Sequence, residues 1–168
     1  MKVAVTGTPG TGKTTATERI ETSLDVVHLN EVIRNEGLYT EQDEGRDTVV
    51  ADVEAVEEFL AGRDDVLVES HLAHHLEVDR VIVLRCHPAT IESRLLERGE
   101  SEESAHENAE SEALDVILSE AVGAHGPDAV YEIETTEQTP EQTARAIESA
   151  IVGEREPSAG TVDFTDYL

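Results

Sequence analysis

Residues 7–14 read Gly-Thr-Pro-Gly-Thr-Gly-Lys-Thr, a complete G-x-x-x-x-G-K-[ST] phosphate-binding loop. The glycines permit a tight turn whose backbone N–H groups point at phosphate oxygens, and the helix that follows offers its positive end to the same anions. In this pattern Lys13 reaches the β- and γ-phosphates, and the hydroxyl of Thr14 ligates Mg²⁺. The rest of the predicted nucleotide-binding set in the loop is Gly10, Thr11, Gly12 and Thr15. The loop therefore predicts a phosphoryl-transfer site that uses ATP and Mg²⁺.

Short apolar segments alternate with helical segments on either side of the loop, which is typical of an α/β fold with a mostly parallel sheet. The predicted strands are Lys2–Thr6, Asp25–Leu29, Asp65–Glu69, Arg80–Arg85 and Ala129–Ile133. The predicted helices are Lys13 to about Ser23, roughly Val53–Ala61, Pro88–Arg98, about Glu102 to Val122, and Pro140–Ile151. We predict one three-layer domain over residues 1–153, followed by an acidic tail (154–168) that is mobile unless Phe164, Tyr167 and Leu168 dock.

Charge is the unusual property of this chain. Thirty-eight acidic residues face twelve basic ones, which gives a formal net charge of −26, and the only lysines are Lys2 and Lys13. Salt screens such self-repulsion, so we interpret the composition as adaptation to a salty cytoplasm; an acidic surface that meets a basic partner is the alternative. Strong direct binding to nucleic acid is not expected, because it needs clustered Lys and Arg.

Cysteine content and hydropathy point to a cytoplasmic protein without a membrane partner. The single cysteine, Cys86, excludes an internal disulfide and a cysteine-rich zinc site. No apolar run approaches the roughly 20 residues that a transmembrane helix needs. The N-terminal residues resemble a strand and not a secretory signal.

A phosphate-binding loop alone leaves kinases, GTPases and motor ATPases open. The chain is about the minimal size for the core of such a protein, and it lacks the Asn-Lys-x-Asp sequence that reads guanine. The region after the second strand (about 29–52) and the stretch around Arg98 (about 98–108) look like the two insertions that clamp a nucleoside monophosphate and ATP. These features favour a small kinase.

Several stretches in the same order resemble the adenylate kinase isoenzyme 6 family of archaea and eukaryotes. They are Thr6–Thr15, Leu29–Arg34, Val68–His71, Val83–Arg85, Arg94–Gly99, Glu107–Glu110 and Leu114–Glu120. Glu-Ser-His at 69–71 and the Arg-Gly and Glu-Asn pairs are the more specific parts of the match, whereas the last forty-odd residues match only loosely. The resemblance covers about residues 2–122.

This resemblance implies a P-loop NTPase fold with a five-stranded sheet in the order 2-3-1-4-5. It also implies reversible phosphoryl transfer between ATP and AMP, together with slow ATP hydrolysis. Members of the family assist maturation of the small ribosomal subunit (16S rRNA in archaea) by associating with a platform ribosomal protein. A pre-30S particle and such a protein are therefore the expected macromolecular partners.

Two candidate site residues follow the third predicted strand. Glu69 ends a buried strand, the usual place for a carboxylate that helps to hold Mg²⁺ or its water. Many relatives have Asp there, so the longer side chain of Glu69 is a departure; the alternative is that it only caps the strand. His71 is a candidate for orienting a nucleophilic water or contacting phosphate, against a purely structural role. We interpret the neighbouring His74 and His75 as surface residues.

Three arginines complete the predicted site. The resemblance implies that Arg34 holds the phosphate of the bound AMP, where a planar guanidinium suits two oxygens. Arg94 and Arg98 are four residues apart and so share one helical face, from which they would stabilise the charge that spreads during transfer. The alternative for each is an exposed helix arginine that pairs with nearby glutamates.

The leading prediction is an adenylate kinase-like enzyme. The alternatives are an ATPase assembly factor with little kinase activity, and a P-loop kinase for another small metabolite.

Overall fold

The computed structural model of the protein describes residues 1–43, 45 and 48–168. Its centre is a five-stranded sheet in which every pair of neighbouring strands is parallel. The strands of this sheet are β1 (Lys2–Thr6), β2 (Asp25–His28), β5 (Val66–Glu69), β6 (Arg80–Arg85) and β7 (Val130–Glu134). Their order is β2-β5-β1-β6-β7. Counted within this sheet alone, that order is 2-3-1-4-5, as predicted, and each predicted strand is correct to within one residue at either end.

Two further strands, β3 (Tyr39–Asp43) and β4 (Thr48–Ala51), form a separate antiparallel hairpin. The sequence did not indicate this hairpin. β3 is polar and mostly exposed, and β4, although residues 49–51 are apolar, only alternates exposed and half-buried positions, so neither strand shows the fully buried pattern of the central sheet. The hairpin falls inside the region 29–52 that was predicted to hold the monophosphate.

Seven α-helices cover the sheet in the described part of the chain. They are α1 (Lys13–Thr17), α2 (Leu29–Glu36), α3 (Val53–Leu60), α4 (Pro88–Glu97), α5 (Glu102–Ala113), α6 (Val116–His125) and α7 (Pro140–Val152). Three short 3-10 turns lie at Ala73–His75, Pro127–Ala129 and Thr165–Tyr167. No helix in the residues described has the length and apolar character needed to cross a bilayer.

Alternate residues of each central strand face opposite helical layers. On one side Ala4, Val68 and Val81 pack in a core with residues of α2, α3 and α6. On the other side Val5 and Ile82 pack with residues of α1 and α7. Because both faces are covered, the strands are continuous apolar runs, as is typical of parallel sheets.

Two predicted helices differ from those observed. Helix α1 ends at Thr17 and not near Ser23, and the hydroxyl of Thr17 donates to the carbonyls of Lys13 and Thr14 (2.9 and 3.1 Å). Threonines compete in this way with the helix's own hydrogen bonds. The predicted helix Glu102–Val122 is two helices, because Asp115 adopts a left-handed conformation with φ of 55° between α5 and α6. Its carboxylate accepts a hydrogen bond from the buried Arg85 guanidinium at 2.6 Å, which holds the break in place.

The C-terminal tail docks on the domain. Phe164 is only 5% exposed and lies near the Arg85 guanidinium, 5.4 Å from it, and near the ring of His87. The hydroxyl of Tyr167 donates to Glu92 at 2.6 Å, whereas Leu168 is exposed. Docking through Phe164 and Tyr167 is the condition under which the sequence predicted an ordered tail.

Candidate nucleotide-binding site

The predicted phosphate loop connects β1 to α1, as the motif requires. Gly7, Gly10 and Gly12 all have positive φ, at 149°, 96° and 91°. At Gly7 a Cβ would lie 2.6 Å from the carbonyl oxygen of Leu84 on β6, so only glycine lets the loop pass that strand. Thr11 is buried and its hydroxyl donates to the carbonyl of Thr8 at 2.9 Å, so the side chain braces the loop and is directed away from the cleft.

Lys13, the first residue of α1, is buried against the loop. Its side chain is 8% exposed, and Nζ donates to the carbonyls of Gly7 and Thr8 at 2.9 and 3.2 Å. Burial lowers the pKa of the ammonium to about 8; Glu69 opposes this shift and the positive charge of Arg98 adds to it. The hydrogen bonds of the ammonium go to neutral carbonyls, and an anionic phosphate can replace them as its partner.

Thr14 and Glu69 meet at the base of the cleft. The Thr14 hydroxyl donates to Glu69 Oε1 at 3.0 Å, and the Glu69 side chain is almost completely buried. The motif on α1 and the carboxylate at the end of β5 are therefore one site, although 55 residues separate them in the chain. The Thr14 hydroxyl oxygen and Glu69 Oε1 are oxygen ligands of the kind that bind a hard cation such as Mg²⁺.

His28 belongs to the same cluster and was missed by the sequence analysis. Its Nδ1 lies 2.8 Å from Glu69 Oε1. The strands β2 and β5 pair in parallel with His28 opposite Glu69. The two strands were predicted to end at Leu29 and Glu69, so their adjacency in the sheet was the signal that could have found His28. On the neighbouring α2, Asn30 accepts a hydrogen bond from the hydroxyl of Ser70 at 2.8 Å.

His71 lines the cleft, whereas the next two histidines, His74 and His75, face another layer. Burial and the nearby charge of Lys13 lower the pKa of His71 to about 4, so the imidazole is neutral at neutral pH. The interpretation of His74 as a surface residue is wrong, because its side chain is 1% exposed and its Nδ1 hydrogen-bonds the hydroxyl of Thr6. A histidine in a core needs such partners, and the sequence does not reveal them. His75 is exposed, as predicted.

The two arginines of α4 have different environments. Arg94 donates to the carbonyl of Gly10 at 2.8 Å and approaches the sulfur of Cys86, so it braces the outside of the phosphate loop. Arg98, which follows the last residue of α4, is exposed and lines the cleft. Their four-residue spacing puts both on one helical face, but only Arg98 reaches the volume where a nucleotide would lie.

Arg34 lies in the last turn of α2 and is exposed. It is not among the described residues that line the cleft. The prediction that it holds the AMP phosphate remains a proposal.

The cleft itself has a volume of about 900 Å³. The loop and Thr15 line its base together with Glu69 and His71, and the segment between α4 and α5 forms one wall with the first half of α5. Residues of that wall are Arg98, Gly99, Glu100, Ser101, Glu103, Ser104, Glu107 and Asn108. Asn30, Gly45 and Thr48 border it as well, so it is bounded by both regions that were predicted to clamp the two nucleotides.

A buried ionic network supports the loop from below. Glu112 of α5 accepts hydrogen bonds from the Thr8 hydroxyl (3.1 Å) and from Arg85 Nε (3.2 Å). Arg85 also donates to Glu132 at 2.7 Å. Burial alone lowers the pKa of the guanidinium, but the carboxylates of Glu112, Asp115 and Glu132 raise it above its ordinary value, so Arg85 stays charged. No sequence pattern predicts this network, because its members come from distant elements.

The chain is similar to archaeal proteins over its whole length. A protein of Natronomonas pharaonis named "Putative adenylate kinase" is 64% identical over 168 residues, which is all of both chains. A protein of the same name from Halobacterium salinarum is 61% identical over 169 aligned positions, again with full coverage of both chains. One from Methanocaldococcus jannaschii is 38% identical and covers all of this chain and 97% of its own.

Similar solved structures support the fold. The shikimate kinase of Bacteroides thetaiotaomicron has a TM-score of 0.58 at 15% identity, covering 91% of this chain and 98% of its own. A sulfotransferase of Alicyclobacillus acidocaldarius has a TM-score of 0.57 at 12% identity, covering 98% and 86%. At these identities the likeness establishes an α/β P-loop fold alone.

Residues 3–115 match the AAA domain family. With that match and with 64% identity over the full length of a relative, the chain belongs to the family that these archaeal proteins form.

Proposed function

We propose that this protein is a Mg²⁺-dependent nucleoside monophosphate kinase that transfers the γ-phosphoryl group of ATP to AMP. The observation that carries the proposal is the joining of Lys13, Thr14 and Glu69 at the base of one cleft that is large enough for two nucleotides. The names of the relatives support the same activity, and a P-loop fold is compatible with it.

The residues at the base of the cleft fit Mg²⁺-ATP. Thr14 and Glu69 would hold the ion, directly or through its waters, since Mg²⁺ prefers oxygen ligands and keeps several waters. When bound, the ion neutralises charge on the β- and γ-phosphates. Lys13 would exchange its hydrogen bonds to the carbonyls of Gly7 and Thr8 for contacts with phosphate oxygens. The negative charge of the phosphates favours the protonated ammonium, which burial disfavours.

The proposed transfer needs no general base. A phosphate oxygen of AMP is ionised at neutral pH, because the second pKa of a phosphate monoester is about 6. It attacks the γ-phosphorus of ATP, the bond to the β,γ-bridging oxygen breaks, and two ADP molecules result. His71, with a pKa of about 4, is unsuited to accept a proton at neutral pH, but as a neutral imidazole it can orient a water. Arg98 is exposed within the cleft, from where it can stabilise the charge spread over the transferred group.

The test is AMP-dependent formation of ADP from Mg²⁺-ATP. Lys13→Ala should lose this activity while the protein still folds, because the variant removes the cation that faces the transferred phosphate. Near-normal turnover in a folded Lys13→Ala protein would contradict the proposal, and so would a strong preference for an acceptor that is not a nucleotide.

Arg34 is proposed to hold the acceptor phosphate. Arg34→Ala should raise KM for AMP more than KM for ATP. Arg145→Ala is the matched control, because Arg145 is another exposed helix arginine and lies on α7, on the opposite side of the sheet from α2. If Arg34→Ala changed both KM values equally, or neither, Arg34 would be an ordinary exposed residue without a role in AMP binding.

The ATPase activity, and with it a role in assembly of the small ribosomal subunit, stays a prediction of the family resemblance. Product analysis separates it from the kinase: phosphate released without AMP is hydrolysis. If His71 orients the water, His71→Asn should lower phosphate release more than AMP-dependent ADP formation. Equal losses would contradict that role of His71.

A further inference from the structure

Two histidines and a glutamate meet on the helical layer behind β1, away from the nucleotide cleft. His74 and His75 lie in the 3-10 turn that follows β5, and Glu120 lies on α6. His74 Nε2 is 2.7 Å and His75 Nε2 is 3.7 Å from the same oxygen, Glu120 Oε2. All three donor atoms lie within 4.8 Å of one another. The cluster takes no part in the proposed phosphoryl transfer.

The three donors have the chemistry and spacing of a zinc site. Two imidazole nitrogens and one carboxylate are the ligand set of many His₂Glu zinc centres, with bonds of about 2.0–2.2 Å. Ligands of a tetrahedral ion with such bonds are about 3.3 Å apart, which lies between the two observed separations from Glu120 Oε2. The three donor atoms are therefore close enough for side-chain rotation to bring them to one ion.

The surroundings orient the buried ligand. His74 Nδ1 is 2.9 Å from the hydroxyl of Thr6, so Nδ1–H can donate to Thr6 while Nε2 binds the ion. Metal-bound histidines generally make such a second hydrogen bond, which fixes the ring and the tautomer. His125 Nε2 donates to the backbone carbonyl of His74 at 2.7 Å and so holds the turn against α6.

The other two ligands are open to solvent. The side chains of His75 and Glu120 are 42% and 45% exposed. His75 also borders a surface cavity of about 400 Å³, which gives an ion a path of entry and leaves room for a water ligand. A fourth position filled by water completes a tetrahedral site.

We propose that His74, His75 and Glu120 bind a zinc-class divalent cation at a site separate from that for the nucleotide's Mg²⁺. Zinc is favoured over Mg²⁺ because imidazole suits transition metals, whereas Mg²⁺ takes oxygen ligands. The bound ion would link the turn that follows Glu69–His71 to α6. Such a link would stabilise the element from which the nucleotide site takes two of its residues.

The experiment titrates Zn²⁺ by calorimetry into the full chain after treatment with a chelator, in saturating Mg²⁺ so that oxygen-only sites are filled. Co²⁺ absorption in the visible range is the second readout, because tetrahedral Co²⁺ with nitrogen ligands absorbs much more strongly than the aqueous ion. His75→Gln and Glu120→Gln each remove one ligand from a partly exposed position and keep the buried His74. His106→Gln is the matched control, since the two ring nitrogens of the exposed His106 face different carboxylates, Glu92 and Glu110.

We expect one equivalent of Zn²⁺ to bind the wild type, with a Co²⁺ spectrum typical of four-coordination. Affinity should fall at least about tenfold in His75→Gln and in Glu120→Gln and stay unchanged in His106→Gln. Saturation with Zn²⁺ should also raise the melting temperature of the wild type by about 5 °C. Unchanged binding in both ligand variants would overturn the proposal, and so would the absence of Zn²⁺ binding to the wild type.

Discussion

At the scale of single residues, Lys13 couples the nucleotide site to pH. Because burial lowers its pKa to about 8, the ammonium begins to lose its proton just above neutral pH when no anion is bound. In the unfolded chain the pKa is near the ordinary 10.5, so the unfolded state holds more protons between pH 8 and 10.5. This group therefore makes the nucleotide-free protein more stable as pH rises through that window.

Nucleotide binding should reverse this shift, because phosphate charge favours the ammonium. Above pH 8 we therefore expect ATP binding to take up a proton and ATP affinity to fall as pH rises. Calorimetry in buffers of different ionisation enthalpy measures the uptake. Lys13→Arg, whose guanidinium keeps its charge throughout, should lose most of the uptake. The same uptake in that variant would show that another group is responsible.

Arg94 and Arg98 provide a second residue-level prediction. Arg94→Ala removes the hydrogen bond to the Gly10 carbonyl, so we expect a lower melting temperature and a higher KM for ATP. Arg98→Ala removes an exposed cleft residue, so we expect a lower kcat with an unchanged melting temperature. Steady-state kinetics and thermal unfolding of both variants separate the two roles. The opposite pattern would mean that Arg94 moves into the cleft when nucleotide binds.

At the scale of elements, the buried network connects the tail to the phosphate loop. Glu132 of β7 accepts hydrogen bonds from Thr161 and Val162 of the tail at 2.7–3.0 Å with one oxygen, and from Arg85 with the other. Arg85 contacts Glu112, which accepts from Thr8 in the loop. The tail is thus a structural part of the domain and not an appendage.

Deletion of residues 158–168 tests this role of the tail. The variant exposes the pocket of Phe164 and leaves one oxygen of Glu132 without its tail donors. We expect the melting temperature to fall by roughly 5–10 °C, since burial of a Phe side chain alone stabilises by about 1.5–3 kcal/mol. Deletion also removes Asp163 and Asp166, which by itself would relieve repulsion, so a fall cannot be ascribed to charge.

Leu168→Ala is the control for that deletion, because Leu168 is 61% exposed and should contribute little. A truncated protein that melts with the wild type would show that the tail contacts do not stabilise the domain.

At the scale of the whole molecule, the net charge of −26 determines how the stability of the protein depends on salt concentration. The Debye length falls to about 3 Å at 1 M salt, so repulsion between neighbouring carboxylates is then largely screened. We expect the melting temperature to rise as KCl increases from about 0.2 M to about 2 M. Sorbitol at equal osmolality is the control, because it alters hydration without screening charge. A flat or falling melting temperature in KCl would contradict adaptation to a salty cytoplasm.

The central strands and the phosphate loop were predicted well, because patterns within a few consecutive residues determine the local backbone conformation. The strand order followed from the family resemblance, and the phosphate loop from its motif. The break at Asp115 was missed because Asp115 contacts an arginine 30 residues away, which no helical periodicity records. The early end of α1 and the hairpin of β3 and β4 were missed as well, because an apolar repeat in the sequence marks neither of them.

The sequence by itself determined the phosphate-loop motif and the class of fold, and it supplied the candidates for binding phosphate and Mg²⁺. Tertiary structure decided which of these candidates lie together: Glu69 meets Thr14 across 55 residues, and Arg94 meets Gly10 across 84. It also turned His74 from a surface residue into a buried one beside Glu120. The physical reason is that a motif fixes local dihedral angles and donor types. Burial, pKa and partners arise only when parallel strands and distant helices bring their ends together.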